Sequence, residues 1–194
     1  MSDVAAMQRY AGTLAEAPPW FTTRDGARLR ARTIRPDDAG RLVDLFNRLS
    51  SESRRRRFHF NPDNLSEELK WSTACALADV DNRTLGGAVA AVEVDAAGEE
   101  QIVGVARLGR PPGEPDGPEA EAAVVIRDDY QGRGVGTELL RRMVLLAKQM
   151  RLRTIVAVIE ADNEAALRVF RNLALPVEVR TSRAETEMRF AVPE

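Results

Sequence analysis

The stretch AVVIRDDYQGRGVGTELL constrains this chain more than any other. A hydrophobic strand runs into Asp128-Asp129-Tyr130, and Gln131-Gly132-Arg133-Gly134-Val135-Gly136-Thr137 then opens a helix. That helix is expected from Gly134 to Met150, with Leu139, Met143, Leu146 and Met150 on its core face and Leu140, Val144 and Ala147 beside them. A strand feeding a glycine-rich helix start makes an anion cradle. The first backbone N–H groups of a helix lack intrahelical partners, and the helix dipole favours negative charge there. Glycines remove the Cβ atoms that would hold a diphosphate away from the backbone.

Two common nucleotide loops do not fit. A Walker A loop needs Gly-Lys-Ser/Thr at its end, and no lysine occupies that place. A Rossmann loop needs a third glycine where Thr137 stands. What remains is Gln-x-x-Gly-x-Gly, carried by Gln131, Gly134 and Gly136. A tight turn with no ligand is the simpler alternative for the same glycines.

Around this loop the pattern alternates between strands and helices. Strands are expected at Leu29 to Ile34, Thr84 to Val94, Gln101 to Leu108, Glu119 to Ile126, Thr154 to Ile159, Val177 to Thr181 and Thr186 to Val192. One helix opens at Pro36-Asp37-Asp38 and presents Leu42, Leu45, Phe46 and Leu49; a second runs from Ser66 to Asp79; a last one runs from Asn163 to Asn172. SSESRRRRFHFNPDN reads as a polar connection between the first two helices. The order β-α-α-β-β-β-α-β-α-β-β implies an α/β fold, an α+β mixed sheet with helices on both faces. Residues 1–19, closing on Pro18-Pro19, read as a tail, and residues 20–194 as one domain.

Composition narrows the chemistry. With 44% hydrophobic and 30% charged residues and a formal net charge of −2, the chain is an ordinary globular one. Nucleic-acid and membrane partners are not expected, since it has neither a broad basic footprint nor a spanning apolar run. One histidine, His59, and one cysteine, Cys75, argue against a metal site, a Ser-His-Asp triad or an internal disulfide. The single cysteine suits a cytoplasmic setting. His59 and Cys75 read as packing residues, and Trp20 and Trp71 as core or interface anchors.

The strand–loop–helix with Gln131, Gly134 and Gly136 resembles the pyrophosphate loop of the GNAT superfamily of N-acetyltransferases. TIRPDDAGRLVDLFNRLSSESRRRRF, with its Ser-x-Glu-Ser-Arg pattern, resembles the opening of the bacterial protein-lysine acetyltransferase (Pat-like) branch. LADVDNRTLGGAVAAVE, EAEAAVVIRDDYQGRGVG and ADNEAALRVFRNL continue the likeness, so that it covers about residues 28–192. The resemblance implies the GNAT fold, with a central, mostly antiparallel twisted sheet, and acetyl-CoA as co-substrate. It implies main-chain contacts to the pantetheine from Val124, Val125 and Ile126. Diphosphate contacts would come from the amides of Gln131, Gly132, Arg133, Gly134, Val135, Gly136 and Thr137. Asn163 matches a residue near the acetyl end, a position where it would also cap the last helix.

Acyl transfer needs a neutral amine, and a lysine has a reference pKa near 10.4. In the Pat-like branch a glutamate of the pattern Ala-Glu-x-Ala is the base; Glu121 occupies that place, and Glu119, two residues earlier on the same strand face, is the reserve. Both also read as solvated rim acids. Many GNAT enzymes carry a tyrosine in the last helix to protonate the departing thiolate, where this chain has Phe170. The expected acceptor is a protein lysine, with Arg54–Arg57 docking an acidic protein patch. The rivals are acetylation of a small amine and an acetyl-CoA-binding module without catalysis. About 19 tail residues are too few for the ligand-sensing domain that Pat-like proteins often attach. The sequence leaves a monomer or a homodimer open.

Overall fold

The computed structural model describes residues 9–58 and 65–194. Eight strands form one sheet: β1 (Trp20–Thr22), β2 (Arg28–Thr33), β3 (Gly86–Val94), β4 (Glu100–Gly109), β5 (Glu119–Ile126), β6 (Thr154–Glu160), β7 (Val177–Ser182) and β8 (Glu185–Ala191). Their order across the sheet is β1-β2-β3-β4-β5-β6-β8-β7. Every pairing is antiparallel except that of β5 with β6. The helices are α1 (Ala39–Asn47), α2 (Ser51–Phe58), α3 (Glu67–Ala78), α4 (Val135–Gln149) and α5 (Glu164–Arg171).

Alternation along β3 shows why helices cover both faces. Val89 and Ala91 belong to the core that holds α4's Leu139, Met143 and Leu146. Their neighbours Ala88, Ala90 and Val92 belong to a separate core with Leu45 of α1 and Ala74 of α3. Side chains on a strand point alternately to opposite faces, so one strand serves two cores.

Most expected elements are present, and two were not anticipated. β1 is only three residues long and has no apolar alternation to announce it. α2 occupies part of the arginine-rich segment that reads as a connection. It has no buried residue and no apolar stripe to read; Ser50 Oγ accepts the Ser53 N–H at 3.2 Å, and Glu52 pairs with Arg55 and Arg56 one turn on. Arginine and such i,i+3 and i,i+4 pairs favour helix without any apolar periodicity. His59 and Phe60 lie outside the described residues.

Of the segment read as a tail, residues 9–19 are described, and they pack on the domain. Tyr10 is 1% exposed, and its hydroxyl donates to the Leu173 carbonyl at 2.9 Å. Lys148 Nζ donates to the Tyr10 carbonyl at 3.0 Å, and Arg142 to that of Pro18 at 2.5 Å. A single buried aromatic with its hydroxyl satisfied is enough to hold such a segment down. Trp71, read as a core or interface anchor, is 54% exposed and so stands outside the core.

Candidate active site

The parallel contact of β5 with β6 is brief. Glu119, Ala120 and Glu121 face Thr154, Ile155 and Val156, after which β6 continues along β8 to Glu160 while the rest of β5 pairs only with β4. A wedge therefore opens beside residues 122–126. Backbone groups that point away from β4 there have no strand to meet, as at any sheet edge. The α4 start closes the base of the wedge, and α5 its far side.

The cleft in this wedge has a volume of about 390 Å³. Val124, Val125 and Ile126 line it, as do Gln131, Gly132, Gly134, Gly136, Thr137 and Asn163. Arg133 and Val135 are the two loop residues whose side chains turn elsewhere. Arg133 pairs with Asp25 at 2.9 Å and lies over the Tyr130 ring; Val135 is buried in the core. They contribute to the loop through their backbone alone. Gly132 and Gly134 have φ of 73° and 90°, in the left-handed region that disfavours any side chain. Glu138 makes the first helical closure, donating to the Gly134 carbonyl at 3.2 Å. The amides of Val135, Gly136 and Thr137 precede it and have no carbonyl within the helix. A Cβ on Gly136 would stand 3.4 Å from Val169 and 3.8 Å from Ile126, two walls of the cleft. The loop is thus shaped to leave its amides open to an anion.

Residues unforeseen as site members supply the charge. Arg24, Arg56, Arg57 and Arg168 all line the cleft. Arg24 is tied to the loop, its N–H donating to the Arg133 carbonyl at 2.9 Å. The Ser-x-Glu-Ser-Arg segment acts as a clamp. The Ser50 N–H and Oγ donate to Asp128 at 2.9 and 2.7 Å, and Ser53 Oγ donates to it at 2.8 Å. Gln131 joins them, donating from Nε2 to Ser53 Oγ at 3.2 Å and to the Ile126 carbonyl at 3.1 Å. Burial pushes the Asp128 carboxyl upward, but the Ser50 and Ser53 bonds together hold it below the usual range. The motif was visible in the sequence; its partner, 75 to 78 residues away, was not.

Behind β5 is a second cavity of about 350 Å³, between α1, α2, α3 and the β4–β5 face. Its walls are mostly apolar, including Phe46, Phe58, Leu77 and Val105. Arg57 and Val125 line both cavities and mark where they meet.

Glu121 is exposed and lines neither cavity. It shares the strand face of Ala123 and Val125, which line the second cavity, and its charge acts on Arg57. Glu119 is engaged by Arg189. Asn163 caps α5, its Oδ1 accepting the Ala166 N–H at 3.1 Å, while also facing the cleft. Phe170 is not a cleft residue; it is 2% exposed and stacks on Phe190 at 6.0 Å. Tyr130 does line the cleft, but burial and a bond with Glu93 push its hydroxyl up to about 12, and it lies between Arg127 and Arg133. Among the described residues no group of His, Cys, Asp and Glu could hold a metal ion, and no helix is long and apolar enough to cross a membrane.

An anion cradle at a helix start, a splayed strand pair and a second cavity behind it are what the resemblance to acyl-CoA-dependent acyltransferases implies. The chain belongs to the acetyltransferase (GNAT) domain family, whose profile matches residues 28–175. It is 32% identical over 169 residues to an acetyltransferase of Pseudomonas aeruginosa, covering 85% of each chain. Over 98 residues it is 35% identical to the L-methionine sulfoximine/L-methionine sulfone acetyltransferase of the same organism, half of this chain and 56% of that one. Its fold is similar to the crystal structure of the GNAT domain of S. lividans PAT, with a TM-score of 0.74 and 25% identity over 89% of this chain and 95% of that one. It also matches a Salmonella typhimurium structure solved with its cofactor acetyl-CoA, with a TM-score of 0.61 and 19% identity over 86% and 95% of the two chains; this likeness is one of fold. The protein is an acetyltransferase, and enzymes of this family use acetyl-CoA.

Proposed function

We propose that this enzyme acetylates the primary amine of a small, largely apolar acceptor seated in the cavity behind β5, with Glu121 as the base. Acetyl-CoA supplies an acyl thioester. Its diphosphate would be held by the α4-start amides and the cleft arginines, and its pantetheine by the free edge of β5 around Val124 to Ile126. The observation that carries the acceptor class is the mostly apolar, partly open cavity meeting the cleft at Arg57 and Val125. Small-molecule sites are concave and mostly apolar with a few polar groups. The named relative that acetylates L-methionine sulfoximine is consistent with that class.

A protein-lysine acceptor rested on Arg54–Arg57 forming an open docking surface, and these residues are engaged otherwise. Arg55 pairs with Glu52 and Glu160, Arg56 pairs with Glu52, Arg54 lies over the Phe46 ring, and Arg57 faces the two cavities. Glu121 is assigned as base because it shares the acceptor-side strand face, whereas Glu119 is held by Arg189.

The test is release of CoA thiol with a panel of small primary amines beside a lysine-rich peptide. The expected result is a small amine preferred over the peptide by about 100-fold or more in kcat/KM. Turnover of the peptide with no small amine accepted would overturn the assignment.

A further inference from the structure

Among the described residues, the charged ones lining the acceptor cavity are Arg57, Lys70 and Arg107, all cations. Lys70 has a counter-ion, with Glu67 at 2.6 Å. Arg107 does not. Its two terminal nitrogens donate to one neutral group, the Leu77 carbonyl, at 2.7 and 2.8 Å. Arg57 contacts the Phe58 ring at 5.1 Å and feels the charge of Glu121, but neither arginine makes an ion pair among the described residues. Both arginines are half-buried, and drawing a cation part-way out of water without a partner is costly, the more so for two close enough to act on one another. Burial and then the charge of Arg57 bring Arg107 down to about 10, and burial likewise lowers Arg57.

We infer that Arg107 and Arg57 recognise a carboxylate on the acceptor, so that the substrate is an apolar amino acid or a similar aminocarboxylate. The inference rests on the small-amine reading above and names the substrate class of that same site. Charge balance favours a monoanion. Among the described residues, Arg57 and Arg107 against Glu121 leave one net positive charge, which a single carboxylate neutralises and a phosphate dianion would overshoot. A lysine side chain brings a cation and no anion at its tip, so it would enter this cavity against the field. The guanidinium is the group best suited to the task, because its planar fork matches a carboxylate. The apolar walls then take the acceptor's side chain, and its amine is left to face the junction at Val125.

The experiment compares matched acceptors: leucine, methionine and phenylalanine against 3-methylbutylamine, 3-(methylthio)propylamine and 2-phenylethylamine, which lack only the carboxylate. Thiol release gives kcat/KM for each. A charge-assisted bond in a desolvated site corresponds to roughly a 10- to 100-fold preference for the acid in the best matched pair. Arg107→Met should cut that acid-to-amine ratio to about threefold or less, while acetyl-CoA binding by calorimetry stays native and reports the fold. Arg57→Met is judged by the same ratio, from which a general loss of activity cancels. The inference is overturned if the plain amines match or exceed the acids, or if the ratio survives both substitutions. Acceptance of the amines alone would leave the small-amine reading standing. Turnover of neither class would bring down both.

Discussion

The clamp on Asp128 gives a quantity that can be worked from the structure. Three hydrogen bonds, at 2.9, 2.7 and 2.8 Å, tie Ser50 and Ser53 to one carboxylate, and through them the start of α2 to the end of β5. An ordinary hydrogen bond contributes about 0.5–1.5 kcal/mol net, and water access at this exposed carboxylate favours the lower half. Together the three come to about 2 kcal/mol. α2 delivers Glu52, Ser53, Arg56 and Arg57 to the cleft, so energy lost from the clamp is drawn from acetyl-CoA binding, up to about 30-fold in Kd. Asp128→Ala should therefore weaken acetyl-CoA by roughly 10- to 30-fold in isothermal titration calorimetry, and Ser50→Ala by less. In the double variant the losses should fall well short of additive, because either change alone breaks the same Ser50 contacts. Native affinity in a folded Asp128→Ala protein, or strict additivity with Ser50→Ala, would refute the reasoning.

Two further outcomes test other parts of the account. Glu121→Gln keeps the shape of the side chain and removes its proton acceptor, so turnover should fall roughly 10²- to 10⁴-fold with acetyl-CoA affinity unchanged; a silent Glu121→Gln beside a damaging Glu119→Gln would move the base by one step along β5. The second concerns acid stability. Arg32 donates to Asp38 at 2.7 Å through both terminal nitrogens and to Glu100 at 2.6 Å; burial pushes both acids up, yet these bonds hold them below the usual carboxylate range. Depressed folded values mean a stabilisation complete above about pH 4–5 and lost as pH falls through them. Thermal midpoints should therefore drop steeply below about pH 4, and less steeply in Asp38→Asn; equal slopes for the two proteins would count against the pair.

How far the sequence could be read depended on where the information was stored. β5, the glycine loop and α4 are contiguous, and each announces itself by a local rule: alternation, missing Cβ atoms or a 3.6-residue stripe. Their boundaries agree with the structure to within a residue. α2 carries its stability in Glu–Arg pairs and in Ser50 contacts, neither of which produces apolar periodicity. The same applies to the segment around Tyr10, whose anchor is a hydroxyl bond 163 residues away. The acceptor cavity was the least legible feature. It is assembled from α1, α2, α3, β4 and β5, so no local pattern shows Phe46 and Phe58 meeting in one place. They lie 5.6 Å apart between ring centres. The arginine run looked uniform in sequence, but helical geometry divides it: Arg55 and Arg56 share Glu52, Arg54 lies over Phe46, and Arg57 reaches both cavities.

The central claim is that the cleft between the free edge of β5 and the start of α4 holds acetyl-CoA by its open backbone amides. Gly136 is the position where that claim is most exposed, since a Cβ there would stand in ordinary contact with Val169 and Ile126 and the further methyls of a valine would take up space between these walls. Titrating acetyl-CoA into the native protein and into Gly136→Val, with circular dichroism to confirm the fold, tests it directly. The account predicts one site in the native protein and at least a tenfold weaker site in the variant. Equal affinity in a folded Gly136→Val protein, or no binding to the native one, would contradict it.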